Sequence, residues 1–160
     1  MKPIALYQNF AKFLDHFQSL FLLLIRIYIG YQAVISGWAH LHHINDTAQF
    51  FATLHIPAPK PSVVMSASTE LVGGTLLLVG FGSRVVALVL AGNFFVAILT
   101  YELSNYDFSM RELLNAIWNN QNIILNDTAF PFFATAVIVL LFGPGWYSLD
   151  GIIRRLRGQK

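Results

Sequence analysis

The sequence predicts an all-α protein built as an integral membrane four-helix bundle, with short amphipathic helices at the membrane interface. Composition leads there first. The 160 residues are 56% hydrophobic and 11% charged, against roughly 25% charged in soluble domains, and mean hydropathy is +0.58. The length of the apolar runs comes second. A helix needs about 20 apolar residues to cross a hydrocarbon core roughly 30 Å thick, and four runs qualify, at about 17–38, 63–81, 84–101 and 128–146. Third, only "GFGSR" separates the second and third runs, a turn tight enough to make them an antiparallel hairpin. Residues 1–160 therefore read as a single membrane domain.

The elements follow in order. "PIALYQNFAKFLDHFQSL" spaces Phe10, Phe13, Leu14 and Phe17 on one helical face, so it starts in the interface and runs into the first span. Arg26 interrupts that span and no Ala-x-Ala site follows, which favours a retained helix over a cleaved signal. The next loop mixes histidines and aromatics and ends at Pro57, Pro59 and Pro61, which break helix just before the second span. Beyond the third span, Ser109 and Glu112 have capping-box spacing. Met110, Leu113, Leu114, Ile117 and Trp118 then form an apolar stripe, suited to a short helix on the surface or over the bundle. After the fourth span, Gly-Pro-Gly stops the helix and Ser148 or Asp150 can cap a new one. Its arginines beside Ile152, Ile153 and Leu156 suit an interfacial helix facing anionic lipid.

Orientation comes from Lys and Arg in the flanks, which favour the cytoplasmic side. With four spans, Lys2, Lys12, Arg84, Arg154, Arg155, Arg157 and Lys160 share a side against Lys60 and Arg111, so both termini are expected in the cytoplasm. There is no cysteine, which removes thiolate metal sites, iron–sulfur clusters and covalent c-type haem. Spans two to four hold no histidine, so no haem is expected inside the bundle, and the basic residues do not form a nucleic-acid footprint.

Charge inside a bilayer is costly and normally faces the bundle interior with a partner. Arg26 lies nine residues into the first run, roughly 14 Å deep at 1.5 Å per residue. Glu70 lies seven residues into the second from the opposite surface, roughly 10 Å by the same rise. The remaining gap, roughly 6 Å of the core, is within an arginine's reach, so the expectation is an Arg26–Glu70 pair. It can serve as an ionic clasp that fixes helix register, or Glu70 can exchange a proton with a quinone or another polar ligand. Ser66, Glu70 and Gly74 recur every fourth position beside Gly73, a spacing for close helix packing or for a ligand cleft floored by Gly73 and Gly74. Asn93, midway along the third span, is suited to bridge helices and is a further candidate for the ligand cleft. Among the outer histidines, His40, His42 and His43 near Asp46 are candidates for a shallow metal site.

Taken together, Arg26, "GYQAVISGWAHL", "HIPAPKPSVVMSASTELVGGTLLLVGFGSR" and "GPGWYSLDG" resemble the DoxX family of small four-helix membrane proteins, from about residue 20 to 151. Arg26, Gly37, Glu70, Gly74, Gly80, Arg84, Gly143, Gly145 and Asp150 match the family pattern. His40 stands where the family commonly has lysine, and the loop from Glu102 to Asp127 is longer than the family's. What the resemblance implies is a bacterial inner-membrane protein acting as subunit or partner of a redox system, of which thiosulfate:quinone oxidoreductase is one. Quinone is then the expected ligand and a redox protein the expected partner. The alternative is a non-enzymatic factor binding metal or a small ligand at the outer histidines, or an assembly platform. Arg84 is expected to anchor lipid phosphate, to tie its turn to Asp150, or to meet an anionic ligand.

Overall fold

The structure, a computed structural model, describes residues 3–120 and 122–157, with side chains for Leu14 and from Phe17 onward. The side chains of Phe10, Phe13, Lys12 and His16, and the whole of Lys2 and Lys160, lie outside the described residues. Among the described residues the chain forms eight helices and no strand: α1 (Pro3–His42), α2 (Ile44–Thr53), α3 (Pro59–Val79), α4 (Ser83–Ser104), α5 (Met110–Asn119), α6 (Asn122–Leu125), α7 (Phe130–Phe142) and α8 (Leu149–Leu156). Three stretches are long and apolar enough to cross a membrane, Phe17–His42, Pro59–Val79 and Ser83–Ser104.

The fourth apolar run behaves differently from the expected span at 128–146. Helix α7 covers only 13 residues, about 20 Å at the standard rise. Both limits have local causes. Asp127 Oδ1 accepts the Ala129 N–H at 2.6 Å and fixes the start, and the chain leaves the helix at Gly143, which has a positive φ, just before Pro144.

α1 packs along α3 and α4 along α7; α3 joins α4, and α1 meets α7 more lightly. In lipid, helix association depends on close packing rather than on water exclusion, and glycine supplies the close approach. A Cβ on Gly37 would lie 2.6 Å from both Ala67 O and Leu71 N, and one on Gly74 would lie 2.9 Å from Gly30 O. The two backbones therefore touch at these points, and the register they set is antiparallel, with Gly37 opposite Ala67 and Leu71, and Gly30 opposite Gly74 and Leu78. Around the α4–α7 seam Ala87, Leu90, Phe94, Ala136 and Val139 are buried together, with the Phe94 and Phe132 rings 5.0 Å apart. Large apolar side chains such as Leu24, Ile35, Val72, Leu88 and Phe95 point outward, as expected of helices whose solvent is lipid.

The α3–α4 turn is closed from a distance. Gly80 ends α3 at φ 76°, a left-handed conformation that glycine adopts without a Cβ penalty, and Phe81 N–H donates to Leu76 O at 3.1 Å. Gly82 has no side chain to cap α4. Asp150 does it instead, its Oδ1 accepting Gly82 N–H at 2.8 Å and its Oδ2 accepting Ser83 N–H at 2.7 Å. This satisfies two orphan donors and places a negative charge at the positive end of α4. At the other end of the molecule Ser109 caps α5 by accepting Glu112 N–H. The apolar stripe of α5 divides: Leu113 is buried and Ile117 half-buried, whereas Met110, Leu114 and Trp118 are exposed.

Candidate functional site: a buried carboxylate held from three helices

Glu70 is 5% exposed and sits where α1, α3 and α4 converge. From α1, Ser36 Oγ–H donates to Glu70 Oε2 at 2.8 Å. From α3, Ser66 Oγ–H reaches Oε1 at 3.4 Å, one turn away on the same face. From α4, Asn93 Nδ2–H donates to Oε1 at 3.3 Å. His40, one turn beyond Ser36, places Nδ1 3.7 Å from Oε2, within ion-pair range but too far for a direct hydrogen bond. Gly37 makes this possible, because a Cβ there would stand 3.0 Å from the Glu70 Cβ. The carboxylate therefore has three neutral donors and one titratable neighbour. His40 is 39% exposed on its side chain, so the cluster reaches the surface at the α2 end.

The expected Arg26–Glu70 pair is not formed. Arg26, 1% exposed, donates from one terminal nitrogen to Pro144 O at 2.7 Å and from the other to Tyr147 O at 2.6 Å. Its guanidinium lies against Gly80, whose Cβ would be 2.8 Å from it. Gly80 is ten residues past Glu70 on α3, about 15 Å along the axis. The register set at Gly37 and Gly74 thus carries Arg26 to the far end of α3 and gives Glu70 to Ser36 and His40 instead. Arg26 becomes a tie for the segment after α7. Asp150 N–H donating to Gly80 O at 2.9 Å reinforces that tie, and Ser148 caps α8 by accepting Gly151 N–H at 3.0 Å. Burial acts to raise the Asp150 pKa, but the N–H groups of Ser83 and Gly82 outweigh it, with help from Arg154, and hold the carboxyl below its ordinary value.

The remaining candidates separate. Gly74 is consumed by the contact with α1, whereas Gly73 touches Leu90 and lines a groove of about 450 Å³ between α3 and α4 with Met65, Thr69, Val72, Val86 and Val89. Arg84 is exposed beside Gly143; the link to Asp150 is made by the main chain of Gly82 and Ser83 rather than by this side chain. The three histidines diverge, because α1 ends at His42 and α2 begins after His43. His40 turns to Glu70. His42 Nδ1 lies 3.0 Å from Trp38 O, with its ring 4.3 Å from the Trp38 ring, and His43 faces Asp46 at 3.8 Å. Among the described residues no group of three or more His, Asp or Glu side chains could hold a metal ion. Sequence reasoning missed Ser36 as a ligand of Glu70, although Ala33, Ser36, Gly37 and His40 share one α1 face at i, i+3, i+4, i+7 spacing. It also missed Glu102, near the C-terminal end of α4, and Asp127, in the α6–α7 link, two buried carboxylates.

The DoxX family profile matches residues 21–103, more than half of the chain. This chain belongs to the DoxX family. The match contains the entire Glu70 cluster and Arg26 but stops before α7 and α8, the segment that Arg26 holds. A Bacillus subtilis (strain 168) protein named "Putative oxidoreductase CatD" is 30% identical over 100 residues, which cover 59% of this chain and 73% of that one. No solved structure matches. The family and the apolar helices together make this DoxX protein a multi-pass membrane protein.

Proposed function

We propose that this DoxX protein is the membrane subunit or partner of a quinone-linked redox system and that the Glu70 cluster is its ligand site. The observation that carries the reading is a buried carboxylate surrounded by Ser36, Ser66, Asn93 and His40, with no permanent cation paired to it among the described residues. Such a group can take up or release a proton without dismantling an ion pair. A quinone supplies two-electron, two-proton chemistry when bound. The chain's share is to orient a carbonyl oxygen with Ser36, Ser66 and Asn93 donors and to exchange a proton at Glu70. The apolar α3–α4 groove, lined by Gly73, suits the hydrocarbon part of such a ligand. With no cysteine in the chain, electrons come through the ligand or a partner protein. The similarity to a relative named as an oxidoreductase supports the same class. The exposed arginines at the α3–α4 turn and on α8 support that end as cytoplasmic, with both termini there in a bacterial inner membrane.

Mass-spectrometric quantification of quinone in the gently solubilised wild type and in Glu70→Gln tests the reading. The amide keeps the shape of the side chain and removes its charge. Near-stoichiometric quinone in the wild type, lost from an equally heat-stable Glu70→Gln, is the expected result. Equal quinone in both, or quinone in neither, would remove Glu70 as a quinone site.

A further inference from the structure

The segment after α7 exposes an amphipathic surface that the Glu70 site does not use. None of the α8 residues is buried. Leu149, Ile152 and Leu156 are exposed on one side of it, Leu156 by 83%, and Trp146 and Tyr147 are exposed just before it. At 100° per residue Leu149, Ile152 and Leu156 fall within about 60° of one another, with Arg155 about 60° beyond Ile152 and Arg154 on the opposite side of the helix. Arg157, at the C-cap, is exposed as well.

The surface is held in place. Asp150 fixes the start of α8 to Gly80, Gly82 and Ser83, and Arg26 holds Pro144 and Tyr147. Arg155 donates to Gly151 O at 3.1 Å and to Trp146 O at 2.5 Å, and its guanidinium carbon stands 5.7 Å from the centre of the Trp146 ring. A mobile tail would have to order these side chains on binding; here the order already exists.

Charge decides the occupant. Arg84, Arg154, Arg155 and Arg157 are exposed at this end. The carboxylate that belongs to this end among the described residues, Asp150, is already committed to two backbone N–H groups. Exposed Phe81, Leu141 and Phe142, at the adjoining ends of α3 and α7, continue the apolar surface toward Trp146. Basic side chains beside a Trp–Tyr pair and a leucine–isoleucine face match the boundary between acyl chains and headgroups. We propose that residues Trp146 to Arg157 form a preformed binding surface for anionic phospholipid headgroups, with Leu149, Ile152 and Leu156 seated in the leaflet and Arg154, Arg155 and Arg157 on the phosphates.

Tryptic cleavage after Arg155 in the full chain reports on this surface. The chain is placed in nanodiscs of phosphatidylcholine alone or of phosphatidylcholine with phosphatidylglycerol. Cleavage is expected to be roughly tenfold slower in the anionic discs and to lose most of that protection in high salt. The double variant Arg154→Gln, Arg157→Gln, which changes exposed positions only and is checked by its thermal midpoint, is expected to be cleaved at similar rates in both. Equal rates for the wild type in the two discs would overturn the proposal, as would a double variant that keeps the full lipid dependence. Protection by soluble polyglutamate in neutral discs, without protection by phosphatidylglycerol, would assign the surface to an acidic protein and equally overturn it.

Discussion

Two charged side chains are buried on the same pair of helices, and their surroundings are opposite in kind. Arg26 spends its terminal nitrogens on the main-chain carbonyls of Pro144 and Tyr147, groups that cannot titrate. Glu70 is surrounded by side chains from α1, α3 and α4, two hydroxyls, an amide and the imidazole of His40. A charge held by carbonyls fixes where a loop runs. A charge held by hydroxyls, an amide and a histidine is met by side chains that can turn toward other partners while the helices stay in place.

Removing each charge separates the two roles. Arg26→Ala leaves Pro144 O and Tyr147 O without donors and deletes two charge-assisted hydrogen bonds, a loss of about 3 kcal/mol or more. Thermal unfolding in mild detergent is expected to show it as a large fall in the midpoint. A midpoint unchanged from the wild type would mean that the clasp does not support the fold.

The glycines that place Glu70 against α1 come next in size. Gly37→Ala puts a methyl 2.6 Å from two α3 backbone atoms and is expected to cost about 1–3 kcal/mol. Gly92→Ala, where nothing lies within 4 Å, should stay within about 0.5 kcal/mol of the wild type. Equal effects of the two would break the link between close α1–α3 approach and the site.

A pH dependence sharpens the clasp side of the comparison. The folded Asp150 pKa is held below its ordinary 3.8, so the unfolded chain takes up that proton first. The stability Asp150 contributes is complete above about pH 4 and disappears as pH falls through the lowered folded value. Asp150→Asn should unfold more easily than wild type at neutral pH, and the two midpoints should converge in acid. Parallel curves at all pH values would show that the carboxylate charge is not what caps α4.

A small stability change, within about 1 kcal/mol, is expected from Glu70→Gln, because the amide oxygen still accepts from Asn93 and Ser66 while the Ser36 hydroxyl can turn to accept from the amide N–H. Its effect belongs to ligand retention. A collapse in stability comparable to that of Arg26→Ala would erase the contrast between the two charges.

The helical membrane architecture and the hairpin at Gly80 to Arg84 were legible from composition and spacing, because apolar length and turn glycines act locally. The N-cap Ser109 was legible for the same reason, and Ser148 was one of the two caps that the spacing offered for α8, Asp150 being the other. Partner choice was not. Arg26 and Glu70 were placed by counting from the ends of hydropathy runs, yet α1 begins at Pro3 and its register against α3 is set by Gly37 and Gly74. That register sets Arg26 beside Gly80, ten residues past Glu70, and brings His40 to the carboxylate instead. The histidines part on a similar point: neighbours in sequence leave a helix in different directions, and the break at His43 turns them further apart. The cap on α4 came from Asp150, 67 residues after Ser83, where no local pattern could announce it.

The 13 residues of α7 have a consequence for the lipid. A core roughly 30 Å thick meets a helix about 10 Å shorter than itself along that flank, while α1, α3 and α4 match or exceed it. Such hydrophobic mismatch is relieved by local bilayer thinning or by covering the short helix with another protein, at fractions of a kcal/mol per Å. The consequence is a lopsided match to lipid: a bilayer around these helices would thin most along the α7 flank, the side on which a covering protein would relieve the most deformation.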